Sequence, residues 1–346
     1  MKRTNVNALA GQMKRTAEKE PKKKPELDGS TEQMTSTGST LLDLAITGGR
    51  VRGGGIPGGI LVEAFGPSGS GKTVLLSEIA GDIQRNNGSV MFHDPEARLN
   101  KQFAKLFDLD VDAMDYKTPD TIPELFKSVR DWEPENYKVV NGIFADSLAA
   151  LSTDLEMDSD EGDKMGMRRA KEFSEELRRT CRVLQSNNYL MVCSNQIRQT
   201  GNQWGPKYAS PGGEAIGFYS SVRLKFGSVN KIKKSKTIKG KKVEKVVGVE
   251  AEIEVHKNST WEPYHTAPLY ILFDYGIDDI RANLQFVKDF TKANTYVVEG
   301  ENVGNSIEKA IQTVEEGDMV DNLKEEVINL WEEIQQEFKV KRKSKR

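Results

Sequence analysis

The chain has 346 residues, 37 % hydrophobic and 29 % charged, which suits a soluble globular protein with one large core and small satellites. No run of about 18 apolar residues marks a membrane-spanning helix, and the opening MKRTNVNALAGQMKRTAEKE lacks the apolar stretch of a secretory signal. Two cysteines, Cys181 and Cys193, make no disulfide framework and give no zinc spacing with three scattered histidines, so a reducing, cytoplasmic setting is expected.

In chain order, NALAGQMKR predicts a short helix, followed by a charged linker too polar to bury much. STGSTLLDLAITGG (36–49) reads as an apolar segment docked beside a core. From residue 59 strand and helix signals alternate: GILVEAF, a helix from Lys72, SVMFHD (89–94), and helices near Lys101–Phe107 and Ile122–Trp132. VVNGIFAD (139–146), a charged helix near 166–187 and YLMVCSNQ (189–196) complete the alternation, which predicts a parallel α/β sheet. VRLKFG (222–227), VEAEIEVHKN (249–258) and PLYILFD (268–274) then follow with little helix between them, as an antiparallel extension does. A smaller, helix-rich module closes the chain from about residue 277.

The net charge of −2 hides strong local asymmetry. Lysine and arginine crowd Lys22–Lys24, KIKKSKTIKGKKVEK (231–245) and KVKRKSKR (339–346), while acids crowd MDSDEGD (157–163) and EEVINLWEEIQQE. This distribution permits polyanion binding, although each lysine run reads equally well as a solvated loop or tail.

GPSGSGKT, running Gly66, Pro67, Ser68, Gly69, Ser70, Gly71, Lys72 and Thr73, lies between an apolar strand and a helical pattern. That spacing in that context is the phosphate loop. Its glycines let backbone N–H groups converge on an anion, Lys72 reaches the β- and γ-phosphates, and Thr73 can hold Mg²⁺. Asp146 ends an apolar strand, where a carboxylate can hold an Mg²⁺ water; the alternative is an N-cap before SLAAL. Glu96, just past SVMFHD, has the reach to polarise a water, or is only a carboxylate at a helix start. Gln196 leaves a buried strand where a polar amide can sense a γ-phosphate. Beyond Arg198 lies a Gly- and Pro-rich stretch, 199–213, that interleaves Trp204 and Tyr208 with Lys207, the mixture that stacks bases and holds phosphates. MDSDEGDKMGMRR (157–169) is a second glycine-bearing loop, ending in Arg168 and Arg169.

Taken in order, TSTGSTLLDLAI, GPSGSGKT, FHDPEARLN, FADSLAAL, SNQIR and PGGEAIGFYSSVRL resemble the bacterial RecA recombinase family over residues 34–335. The resemblance implies a P-loop ATPase core with a mixed, mainly parallel sheet at 36–276. It adds an N-terminal helix and linker at 1–35 for packing between protomers, and a small C-terminal α/β domain at 277–346. It implies ATP and Mg²⁺ as ligands, Glu96 as the water-activating base and Gln196 as the γ-phosphate sensor, with Phe103 stacked on adenine. Loops 157–167 and 197–213 become DNA-binding loops, with Met165 near the end of the first and Gly212 and Gly213 closing the second. Phe218 becomes a filament-interface aromatic, and Lys257 a lysine that reaches a neighbour's nucleotide.

The implied activity is a DNA-dependent ATPase that forms filaments on single-stranded DNA, pairs it with duplex DNA, and works with single-strand-binding and loader proteins. The alternatives are a hexameric helicase or repair accessory ATPase on the same core, which predicts an accessory domain, and a nucleotide-dependent module without hydrolysis, which predicts loss of Glu96 or Asp146. The chain departs from the family at Ser259, where a second interfacial lysine is expected, and at Gly217, where another lysine is expected. Its basic C-terminus stands where an acidic tail is expected.

Overall fold

Strands buried on both faces favour apolar residues at most positions, and the segments that form the middle of the fold supply them, with Glu63, Asn141, Ser194 and Asn195 as buried polar exceptions. The computed structural model describes residues 33–99, 101–153, 165–199, 208–209, 214–291 and 293–342. The expected N-terminal helix therefore lies outside the described residues. Nine strands form one sheet: β1 (Leu61–Gly66), β2 (Val90–His93), β3 (Asp115–Lys117), β4 (Asn141–Ala145), β5 (Tyr189–Gln196), β6 (Val222–Ile238), β7 (Lys241–Asn258), β8 (Thr266–Leu272) and β9 (Gly276–Ile277). Their order is β9-β8-β7-β6-β1-β5-β4-β2-β3. Pairing is parallel from β6 through β3 and antiparallel from β6 through β9, as the change in sequence pattern predicts.

Successive residues of one strand serve opposite faces. Leu190 and Val192 of β5 join the larger core with helix α1 (Thr40–Asp43) and helix α2 (Lys72–Arg85), whereas Met191 and Cys193 join a second core. After the short α3 (Lys101–Ala104), that second core is closed by α4 (Ile122–Asp131) and α5 (Met165–Asn187). Helix α4 starts where it does because the Thr121 hydroxyl accepts from the Glu124 N–H at 3.4 Å and Pro123 occupies the first turn. Its Ile122, Leu125, Phe126 and Val129 then fall on one buried face. Beyond α6 (Glu214–Tyr219) and the antiparallel strands come α7 (Asp279–Thr291), α8 (Ile307–Glu316) and α9 (Val320–Phe338). Leu284, Val314, Val327 and Trp331 of these last helices belong to the same larger core as the sheet.

The antiparallel pair β6–β7 is longer than the sequence suggests. The lysine run 231–245, equally readable as a loop, continues the ladder to a turn at Lys239–Gly240. Strand β3 had no sequence signal at all, since Asp115, Tyr116 and Lys117 are exposed and carry no alternation.

Three carboxyls, Asp43 buried and Glu78 and Asp279 half-buried, brace this region: Asp43 orders the 36–43 segment, Asp279 ties it to α7, and Glu78 ties α2 to β9. Asp43 accepts from the Ser36 hydroxyl at 2.6 Å and from the Thr37 N–H and hydroxyl at 2.8 and 2.7 Å. Asp279 accepts from the Thr40 N–H and hydroxyl, each at 2.7 Å, and Glu78 accepts from the Ile277 N–H at 3.2 Å. Burial pushes all three carboxyls up, Asp43 and Glu78 each to about 7. A carboxyl whose folded pKa lies above its unfolded value takes up a proton on folding. For Glu78 the stabilisation is fully present below 4.5 and is lost as pH rises to about 7. Glu78→Gln keeps an oxygen for Ile277 and removes that loss. Its melting temperature, matched to wild type near about pH 5, should exceed it near about pH 8. Parallel melting-temperature curves across that range would show that Glu78 is ionised throughout.

Candidate nucleotide site and its surroundings

Strand β1 delivers a buried apolar chain to the sheet's carboxyl edge, and the phosphate loop turns it back into α2. The turn needs glycine for two separate reasons. A Cβ on Gly66 would stand 2.7 Å from the Phe226 Cβ, and Gly71 holds φ at +98° with no room beside the Ile271 side chain. Helix α2 starts immediately after Gly71, so its free N–H groups and the positive end of its dipole face the loop's interior.

The loop opens onto a cleft of about 340 Å³ lined by residues from six segments, among them Lys72, Thr73, Glu96, Asp146, Gln196 and Phe273. Lys72 is buried and folded back: its ammonium donates to the carbonyls of Gly66 at 3.1 Å and Pro67 at 2.6 Å. Burial pulls that ammonium below the ordinary lysine range, and the Asp146 carboxylate opposes the shift. The Thr73 hydroxyl donates to Asp146 Oδ2 at 2.6 Å, and the Ser194 hydroxyl donates to Asp146 Oδ1. Asp146 is thus no helix cap; it sits across the loop from Thr73, one residue beyond β4. Next to it, the Ser147 hydroxyl is buried in the cleft wall and has no hydrogen-bond partner among the described residues.

These donors fit a hydrated Mg²⁺ bound with a triphosphate. Thr73 and Asp146 present hard oxygens to one point, and the buried Ser147 hydroxyl has its bonding capacity unspent. A ring stands at the rim, since Phe273 is 52 % exposed and lines the cleft.

Glu96 reaches the same cleft from the other side, on a turn that follows β2. Asp94 builds that turn. It is buried, its carbonyl accepts from the Ala97 N–H at 3.0 Å, and its Oδ2 accepts from the Leu99 N–H at 2.7 Å and the Tyr116 hydroxyl at 2.9 Å. Edge strand β3 therefore holds the turn through Tyr116. Glu96 itself is paired with Arg98 at 2.9 Å, a partner that also lines the cleft and that sequence reading did not single out.

Gln196 ends β5 at the cleft, and a buried chain of polar groups runs back from it. Its N–H donates to Asn195 Oδ1 at 3.0 Å, Asn195 Nδ2 donates to Glu63 at 3.0 Å, and Arg223 Nε donates to the same carboxylate at 2.6 Å. Arg223 lies 4.4 Å over the Phe65 ring. A Cβ on Gly217 would meet the Arg223 guanidinium at 2.9 Å, a physical reason for glycine where a lysine is expected.

Several predicted site residues sit elsewhere. Phe103 packs edge-on against Phe107, ring centres 4.9 Å apart, and does not line the cleft. Lys257 donates to the carbonyls of Gly217 at 3.0 Å and Phe218 at 2.9 Å, at the end of α6. Phe218 is 74 % exposed there, so the two residues assigned to a filament interface share one surface patch, outside their own cleft. Ser259 contributes its backbone, donating to the Ser221 carbonyl at 2.8 Å.

Of the DNA-loop residues, Arg168 is exposed on the first turns of α5, while Arg169 is turned inward to the carbonyls of Leu148 and Ala149 at 3.2 and 2.7 Å. Met165 begins α5, and Arg198 pairs with Ala209 in a two-residue ladder. Their side chains, and Trp204, Lys207, Gly212 and Gly213, lie outside the described residues.

A sequence model described as the RecA N-terminal domain matches residues 22–278. Protein RecA of Delftia acidovorans is 30 % identical over 291 residues, covering 82 % of this chain and 75 % of that protein. Protein RecA of Borrelia hermsii (strain HS1 / DAH) is 32 % identical over 250 residues, covering 71 % of this chain and 65 % of that one. A crystal structure of the RadB recombinase aligns with a TM-score of 0.49 at 18 % identity, over 70 % of this chain and 98 % of that chain.

Proposed function

The chain belongs to the RecA family, and from that premise we propose that it is a DNA-dependent ATPase which polymerises on single-stranded DNA and drives homologous pairing and strand exchange. The observation that carries this reading is the convergence of Lys72, Thr73, Asp146, Glu96 and Gln196, from separate segments, on one cleft. Such a set can bind a triphosphate, activate water against it and register its presence. Members of the family are ATPases of recombination and repair; the filament and the strand exchange are the proposal.

In this reading the α2 N-terminus and Lys72 bind the phosphates, while Thr73 and Asp146 hold Mg²⁺, the latter through water. Bound there, the metal would supply charge neutralisation for the phosphates. Glu96 takes the proton of the attacking water once Arg98 releases it. Gln196 reports the γ-phosphate to the loop that starts at Ile197. Loops 157–167 and 197–213 hold single-stranded DNA, with Met165, Arg168, Arg198, Trp204, Lys207, Gly212 and Gly213 as their contacts. Arg169 joins them only by leaving the carbonyls of Leu148 and Ala149. Phe103 meets adenine only by a similar movement away from Phe107. Residues 1–35 and the Phe218–Lys257 patch pack between protomers, Lys257 reaching the neighbour's nucleotide, and 277–346 form the small C-terminal domain. The setting is cytoplasmic; no helix among the described residues is long and apolar enough to cross a membrane.

Electron microscopy with single-stranded DNA and a non-hydrolysable ATP analogue tests the assembly. A helical filament is expected, and a closed ring or dispersed protomers would overturn the recombinase reading. Phe218→Ala should shorten the filaments without lowering ATP affinity of the free protomer.

A further inference from the structure

A general base held in an ion pair needs something to release it, and the cleft shows how that release is arranged. Arg98 meets Glu96 through one nitrogen, Nη2, and one oxygen, Oε1, at 2.9 Å. Among the described residues neither side chain has a second ion pair. The planar fork of the guanidinium can grip two oxygens of an oxyanion at once, and here one atom of it is engaged. The two ends also differ in exposure: the Arg98 side chain is 70 % exposed and that of Glu96 25 %. The carboxylate is seated in the cleft wall, while the guanidinium stands in solvent beside it.

The backbone on both sides of Arg98 is pinned. The Ala97 N–H donates to the Asp94 carbonyl at 3.0 Å and the Leu99 N–H to the Asp94 carboxylate at 2.7 Å, so both neighbours of Arg98 are tied to one buried residue. Ala97 holds φ at +50°, a left-handed conformation that few residues other than glycine adopt. It lies between Glu96 and Arg98, and both of these line the cleft. Backbone conformations of this kind gather at functional sites. A fixed turn with a long, exposed side chain leaves rotation of that side chain as the way the pair can open. Magnitudes then decide where the guanidinium goes. An exposed ion pair shifts an equilibrium by about five-fold at most. A hydrogen bond to a charged group shifts it by about ten- to a hundred-fold, and the fork can make two of them to one phosphate. A phosphate in the loop enters the same cleft, among Lys72, Thr73 and Gln196, and therefore outcompetes Glu96 for Arg98. A diphosphate, one phosphoryl group shorter, leaves the pair closed.

We propose that Arg98 makes the site specific for a triphosphate: the terminal phosphate draws the guanidinium off Glu96, so the base is released only when there is a γ-phosphate to attack. The proposal rests on the reading of the cleft as an ATPase site. Arg98 is then a specificity-determining residue that acts within one protomer and needs neither a neighbour nor DNA. Its test is displacement of a fluorescent nucleotide from the full chain, without DNA, by ADP and by a non-hydrolysable ATP analogue. The wild-type chain should prefer the ATP analogue. Arg98→Ala should weaken the analogue by about ten-fold or more and leave the ADP affinity in place. Arg98→Lys keeps the charge and loses the fork, and should recover part of the preference. In steady-state turnover Arg98→Ala should raise KM for ATP by a similar factor and move kcat far less. A collapsed turn would instead weaken both nucleotides and lower kcat through Glu96.

Equal weakening of ADP and the ATP analogue in Arg98→Ala overturns the proposal, and so does no weakening of either. Lys72→Ala separates that failure from failure of the site. If Lys72→Ala weakens both nucleotides while Arg98→Ala leaves their ratio as in wild type, the cleft binds nucleotide and the role of Arg98 is wrong. If the wild-type chain binds neither nucleotide, the reading of the cleft falls and the proposal falls with it.

Discussion

Lys72→Ala should abolish nucleotide-dependent DNA binding while the fold survives. The ammonium is the cation at the bottom of the phosphate cradle, and without phosphate its partners are the loop carbonyls of Gly66 and Pro67. A hydrogen bond to a charged group is worth about 1.5–3 kcal/mol, so ATP affinity should drop by about ten- to a hundred-fold from that contact alone. Turnover should fall further, by about 10²–10³, because the same charge stabilises the transferring phosphoryl group. Those two carbonyls are the structural cost: Pro67 is exposed, so water can replace the ammonium there, while Gly66 is buried. A fluorescent ATP analogue gives the affinity, and circular dichroism with a melting curve controls for the fold. Wild-type turnover in this variant would move the nucleotide to another site altogether.

Glu96→Gln should separate binding from chemistry. Glutamine keeps the shape, so nucleotide and single-stranded DNA should bind as before, while turnover falls by about 10²–10⁴, the usual contribution of a general base. The variant also dissolves the ion pair with Arg98, which is 70 % exposed on its arginine side. An exposed pair is worth about 0–1 kcal/mol, too little to account for the loss. Arg98→Ala provides the control: it frees Glu96 without removing it, and turnover should stay within about ten-fold of wild type. Equal losses in both variants would mean that the pair, rather than the carboxylate, carries the effect. An unchanged rate in Glu96→Gln would assign water activation elsewhere.

The parts of the fold that could be read from the chain are those in which burial imposes a pattern. β1, β4 and β5 are apolar at nearly every position because both faces of the sheet are covered, and the change to strands without helices marked the antiparallel side. β3 could not be read: its three exposed residues act through polar contacts, Tyr116 donating to Asp94, the Lys117 carbonyl accepting from the Asp94 N–H and Asp115 accepting from the Trp132 ring N–H. The β6–β7 ribbon was hidden by composition, since lysine on both faces erases the alternation that identifies a strand.

The nucleotide loop was legible because its glycines, Lys72 and Thr73 are contiguous. Asp146 was legible because a strand's end is a privileged place. Arg98, Ser147, Ser194 and Phe273 carried no comparable signal: each is an ordinary residue that only the folded chain brings to the cleft. Phe103 shows the reverse. Its position in a motif suggested a base-stacking ring, and the packing against Phe107 places it in a different setting.

The freedom of the ribbon beyond Ile232 sets a rule for how its length can change. Among the described residues that segment pairs with the opposite strand alone, so residues can be added or removed in pairs without touching the sheet. Parity then decides the outcome. Deleting two residues from each strand retracts the tip by about 6.8 Å and leaves every side chain on its original side. Deleting one from each strand retracts it by half as much and rotates the whole distal pattern, so that lysines lost from the outer surface appear beside Val249 and the cleft. Among relatives carrying such an extension, even steps per strand should therefore be common and odd steps rare, and the two deletions made in this chain give that rule a direct trial.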